Sequence, residues 1–357
     1  MTSIFELQAD FSDDDELDPI TRSWKEAKNI ASVVGPCPRL FTTAVHFLNF
    51  DQLNNEDIAQ QSAKACINLL LHSDSFTAAL YYAALAYKEP QLRESSLGKR
   101  VRIVDLFQAS EMSALIAILY LYRKLRKGCD KELFAKITEE MMVDVELAGK
   151  IGHAIPAIGL QYGLLVGALP HIGRAMLLGI DKKGFKKYRL SMKVENKEYD
   201  LEAENKLWGC NHLQIAVLLA QVVGIRGEVL DPIARGIPQK FLSDTEKEED
   251  MYRARLTTVW LHSLRDRGEV PNILHKGEYY PMASQVEHLS FVGEHLKEEG
   301  TLTKWLERNK EDIGPQKTPE LVRFDKNESA DDFTDHLPEE LSEEDVESGE
   351  MTESEMG

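Results

Sequence analysis

Apolar residues recur at steps of three and four along most of this chain, the period that places them on one face of a helix. From Thr21 to about Arg126 the stepping is nearly continuous. The stretch DSFTAALYYAALAYKEP has Asp74 at a capping position and Pro90 to stop it, and EMSALIAILYLYRKLRKG ends on a basic turn with Gly128 just beyond. Both predict helices. A further long helix is expected over 130–149, where Leu133, Ile137, Met141, Val145 and Ala148 follow steps of four and three. Shorter helices are expected over 202–207 and 212–223. Another is expected over 246–267, carried by Met251, Leu256, Val259, Trp260 and Leu264, with two more over 284–298 and 301–309. The pattern gives an all-α fold. Its expected core includes Leu133, Ile137, Ala148, Leu160, Leu164, Leu165, Ile172, Leu177, Ile215, Leu218 and Leu219.

Two stretches depart from this picture. In YRLSMKVENKEYDL the residues Tyr188, Leu190, Met192 and Val194 alternate, followed by Tyr199 and Leu201 across a polar turn, so the stretch reads either as a small β-hairpin or as a helix carrying Leu190, Val194 and Leu201. Between Ile151 and Gly173 there is no Asp, Glu, Lys or Arg, as in a membrane span. Pro156, Gln161 and four glycines before Gly173 interrupt it, and a buried helix pair broken at Pro156 is the expected arrangement, with no membrane partner.

The net charge of −18 changes the picture because it sits at the ends. Residues 1–20 hold seven acidic and no basic residues, and residues 311–357 hold seventeen acidic and three basic. Subtracting these from the 60 acidic and 42 basic residues of the chain leaves 36 and 39, a net of +3 for residues 21–310. The end segments carry too little apolar content to offset the entropy of ordering them. Four parts are therefore expected: an acidic N-terminus over 1–20, a helical domain over 21–240, a helical C-terminal extension over 241–312 and a disordered acidic tail over 313–357. Cys37, Cys66, Cys129 and Cys210 are far apart and suggest buried thiols rather than a zinc knuckle or disulfides. The N-terminus has no basic-then-apolar leader, so the cytoplasm is the expected location.

ALPHIGRAML places Pro170-His171-Ile172-Gly173 at the end of an apolar run, so His171 is expected in a structural role at a helix end before Gly173. Downstream, Glu202 and Glu204 precede LWGCNHLQIAVLLAQVVGI, with Trp208, Gly209, Asn211 and His212 in its first part. Upstream lie SDSFTAALYYAA and GPCPRLFTTAVHFL. Over residues 36–240 this order closely resembles the HDOD family, the HD-related output domain of bacterial regulatory proteins. The resemblance implies a helical bundle of the HD type. In that class a metal held by imidazole and carboxylate ligands activates water. Here the family's His-Asp falls on Pro170-His171 and its His-Ser near Val143-Asp144. Its Asn falls near Ala84, and its paired histidines near Ala234-Arg235-Gly236.

No His-Asp dipeptide occurs anywhere, and His153, His171, His212 and Asp181 are scattered. The expectation is a retained scaffold with no metal, no cofactor and no catalytic residue. Its function would be that of a regulatory module acting through a protein partner or a signalling molecule. The alternatives are a residual metal-dependent phosphohydrolase or nucleotide-binding enzyme using His171 and Asp181, and a nucleic-acid-binding regulator. The last is prompted by three basic stretches: Lys99, Arg100 and Arg102; Arg123, Lys124, Arg126 and Lys127; and Lys182, Lys183, Lys186, Lys187 and Arg189. Because the body is only +3 and each stretch lies near an expected helix end, nucleic acid is not the favoured partner. An intramolecular contact with the acidic tail is a further expectation for this basic surface.

Overall fold

The structure is a computed structural model that describes residues 18–54, 59–95, 103–238, 249–272, 277–299, 301 and 303–309. Among the described residues there are fifteen α-helices and no strand. They run α1 (Pro19–Ser32), α2 (Arg39–Leu53), α3 (Gln61–Leu70), α4 (Asp74–Tyr87), α5 (Glu89–Ser95), α6 (Ile103–Leu106), α7 (Ala109–Gly128) and α8 (Lys131–Ala154). Then follow α9 (Leu160–Ile180), α10 (Lys182–Glu195), α11 (Leu201–Trp208), α12 (His212–Val223), α13 (Gly227–Gly236), α14 (Glu249–Arg267) and α15 (Ala283–Glu299). The acidic segments 1–17 and 310–357, and the basic residues Lys99, Arg100 and Arg102, lie outside the described residues.

The centre of the fold is the antiparallel pair α8 and α9, which share the most extensive contact in the protein. Small residues let the two backbones touch. A Cβ added to Gly163 would meet the carbonyl of Ala148, and one added to Gly167 would meet that of Asp144 at 2.6 Å. The glycines that break the apolar stretch are therefore the seam of a helix pair. By length and composition α9 is the one described helix that could cross a membrane, and 83% of that apolar window is buried inside the protein. Helices α7, α12 and α14 cover it. Leu256, Trp260 and Leu264 of α14 are fully buried, so the segment expected as an extension contributes to the same core.

Several boundaries differ from the sequence reading. The hairpin is absent: residues 182–195 are helical, with Asp181 Oδ1 accepting from Gly184 N–H at the start and Asn196 in the left-handed conformation at the end. Phe185, Tyr188 and Met192 form the buried stripe at steps of three and four, while Leu190 and Val194 face solvent. The alternation thus came from two faces of one helix. Among the described residues of 301–309 the one helical stretch is a 3-10 turn at Trp305–Glu307. Of the expected core, Leu133 and Leu218 are only partly buried, and the other nine residues are inside.

Candidate functional site

The motif residues fall into two groups, and one group makes a structural joint. Asn211 caps α12, its Oδ1 accepting from Gln214 N–H while Gln214 Oε1 accepts from Asn211 N–H, a reciprocal pair that satisfies two otherwise unpaired amides. Gly209 ends α11 at φ +74°, a left-handed conformation that suits a glycine. Gly173 lies where α9 meets the start of α12, and a side chain there would collide with the carbonyl of His212. Trp208 packs edge-on against Tyr188, with its Nε1–H donating to Asp181.

Beneath this joint Glu204 and His212 are both completely buried. Glu204 Oε2 accepts from His212 N–H at 2.9 Å and from His212 Nδ1 at 2.7 Å, while its Oε1 accepts from the Tyr188 hydroxyl at 2.5 Å. Burial alone would raise the Glu204 carboxyl, but His212 and the hydrogen bonds outweigh it and hold the group below the usual range. Burial, then Glu204, push the Tyr188 phenol far up. Every acceptor contact of Glu204 goes to its own fold.

The second group surrounds His171. It was expected at a helix end, but the structure places it in the middle of α9, with Pro170 inside the same helix. Proline has no N–H to give to the carbonyl four residues back, yet the helix continues because its flanks are packed on α7, α8, α12 and α14. Packing overrides the local break. His171 Nε2 lies 2.8 Å from Asp144 Oδ2, and Nδ1 lies 3.0 Å from a terminal nitrogen of Arg174. An arginine can only donate, so Nδ1 accepts and the neutral Nε2–H tautomer is required. Burial, then the Arg174 charge, accordingly lower the His171 pKa.

Two arginines tie the cluster together. Arg265 of α14 donates to Asp144 Oδ2 at 2.9 Å and to Glu198 Oε2 at 3.2 Å. Arg174 reaches Glu198 Oε1 at 3.4 Å, and His262 also approaches Glu198 at 3.4 Å. Burial would raise Glu198, but Arg174, Arg265 and His262 outweigh it and keep it strongly ionised. Burial likewise disfavours the Arg265 charge, and Asp144 and Glu198 more than restore it. Nearby, Arg189 of α10 grips Glu140 with two hydrogen bonds of 2.7 and 3.1 Å. Asp144 Oδ1 is buried with no partner.

The cluster forms the floor of a groove of about 810 Å³ walled by α8 and α10 and closed by Glu198 and Arg265. The chemistry this permits is limited. Both nitrogens of His171 are committed, and the nearby carboxylates are held by guanidinium groups. Among the described residues no three of His, Cys, Asp and Glu converge to hold an ion. Asp181, the other residue of the residual-enzyme expectation, caps α10 instead.

The structure thus brings Pro170-His171 and Val143-Asp144 together, and gathers Gly173, Glu204, Trp208, Gly209, Asn211 and His212 into one joint. Ala84 lies buried in α4, and Ala234, Arg235 and Gly236 close α13, where Arg235 pairs with Asp231. Of the basic stretches, Arg126 and Lys127 are exposed at the end of α7 and Arg123 and Lys124 are half-buried. Lys182, Lys183, Lys186 and Lys187 are exposed on α10, and Lys182 pairs with Asp130 just past α7. Sequence reasoning missed Arg174, Glu140, Glu198, His262 and Arg265. Only the spacing of Glu140 from Asp144, and of His171 from Arg174, could have signalled them. Compared with family models, curated proteins and solved structures, the chain matches none.

Proposed function

We propose that this chain is a non-catalytic regulatory module of the HDOD type, working in the bacterial cytoplasm by binding another protein or a signalling molecule. The observation that carries the reading is the ion-pair cluster at the two positions where the resemblance would put metal ligands. His171 and Asp144 meet there, but Arg174 and Arg265 are interleaved with them, and a metal cation would be repelled by both guanidinium groups. A network of this kind rigidifies a scaffold, and the single carboxylate oxygen it leaves unpaired, Asp144 Oδ1, falls short of the three protein ligands a metal normally needs. The groove above it, lined in part by Ile137, Val143, Phe185 and Met192 and edged by Lys136, Lys186 and Lys193 with Glu139 among them, supplies a surface for recognition.

Elemental analysis of the purified protein, together with a phosphoesterase assay on a chromogenic phosphodiester with added Mn²⁺, tests this. The expected outcome is no stoichiometric transition metal and no turnover above the buffer rate. A bound metal that disappears in His171→Ala, with accompanying hydrolysis, overturns the proposal in favour of a metal-dependent phosphohydrolase.

A further inference from the structure

We propose that the outer face of α10 and the adjoining groove dock the chain's own acidic C-terminal segment, centred on residues 331–347. The docking goes beyond the regulatory reading and is separable from it, since the groove could serve another partner if the tail does not bind. Helix α10 carries six basic residues and one acidic residue. Leu190 and Val194, one turn apart on it, are 65% and 80% exposed, with Lys186 and Lys193 exposed beside them. A leucine and a valine so open on a basic helix form an amphipathic face without a partner. The groove floor has its charges already matched, so the attraction for an anion comes from the lysines at the rim.

The occupant must therefore be acidic and must bring apolar anchors. Residues 331–347, DDFTDHLPEELSEEDVE, hold nine acidic and no basic residues, with Phe333, Leu337, Leu341 and Val346 spaced four or five apart. The reach is sufficient. Thr303 hydrogen-bonds Glu146 of α8, and the preceding turns of α8, through Val143 and Glu140, wall the groove. The chain between 309 and 331 could extend by roughly 70 Å at about 3.3 Å per residue. Tethering at that length gives an effective concentration on the order of millimolar, so even a weak contact is populated.

A labelled synthetic peptide of residues 329–348 is titrated against the full chain and against a full chain whose nine acidic residues in 331–347 are changed to Asn or Gln. The peptide is expected to bind the neutralised chain about tenfold or more tightly than the unmodified chain, where the native segment competes. Raising salt from about 50 to about 300 mM should weaken it. Leu190→Ser with Val194→Ser, placed in the neutralised chain and confirmed folded by circular dichroism, should reduce the affinity about tenfold, consistent with loss of apolar burial. Three results would each overturn the proposal: no saturable binding at low salt, equal affinity for the two chains, or equal binding of a peptide whose four apolar anchors are serine. Displacement of the peptide by duplex DNA at lower concentration than by unlabelled peptide would assign the surface to nucleic acid instead.

Discussion

His171 and Asp144 are joined by a 2.8 Å hydrogen bond between two buried side chains, and Arg174 holds the opposite edge of the same imidazole. The ring is therefore kept neutral where the unfolded chain would let it titrate near 6.5. A lowered folded pKa means that the unfolded chain takes up the proton first. Stability contributed by the neutral ring is full above about pH 6.5 and declines as pH falls from there toward the folded pKa. His262, lowered chiefly by burial, adds to the slope with the same sign. The melting temperature should fall between about pH 7 and pH 5, and His171→Asn should flatten that fall. An unchanged slope in His171→Asn would show that the ring does not carry it.

Asp144 accepts from both His171 and Arg265, so its removal leaves the buried imidazole without an acceptor and takes one of three acidic partners from Arg265. Arg265 keeps Glu198 and Asp266, so the loss is chiefly that of an acceptor for a buried neutral ring, about 1–3 kcal/mol. Asp144→Ala should lose stability on that scale in urea unfolding. Asp144→Asn, which keeps an acceptor oxygen for the His171 ring, should lose less than Asp144→Ala.

The all-helical class was legible from the residue spacing, because α7, α8, α12 and α14 each bury a stripe that the sequence displays. Helix α10 was not, since its exposed Leu190 and Val194 imitate the alternation of a strand. Periodicity assumes that apolar residues point inward, and it misreads a helix whose outer face is apolar as well. The joint around Gly173, Glu204 and His212 was visible as a motif, but its meaning as a set of caps and close approaches needed the packing. The ion cluster was illegible for a different reason. Its partners are 27, 67 and 121 residues apart, and nothing local in the sequence announces that Arg265 will reach Asp144.

Gly173 packs where α9 crosses the first turn of α12, with no room for a methyl group before the His212 carbonyl. In an open helix a glycine-to-alanine change would favour folding by up to about 1 kcal/mol. Here overpacking should reverse the sign. Gly173→Ala is expected to destabilise by about 1–3 kcal/mol or more, while Gly128→Ala, which meets nothing within 4 Å at the end of α7, should not. Denaturant midpoints of the two variants, with unchanged m-values, check the contrast.

Glu204 offers a test that separates structure from ligand binding. Its two oxygens accept from the backbone and ring of His212 and from Tyr188, and no water-facing edge remains on a side chain that is 0% exposed. Glu204→Ala leaves those donors buried and unmatched, and should cost about 3–5 kcal/mol. Glu204→Gln keeps one acceptor oxygen for His212 and should cost less, about 1–3 kcal/mol. Tyr188→Phe removes the third contact and strands the Asp200 N–H that the hydroxyl accepts at 2.8 Å, with a loss of about 1–3 kcal/mol. The order Ala, then Gln, should hold in urea unfolding at neutral pH. Buried carboxylates reserved for a ligand behave in the opposite way, because relieving their desolvation stabilises the free protein. A Glu204→Ala chain as stable as the parent would therefore mark this carboxylate as a binding group and not as the support of the α11–α12 joint.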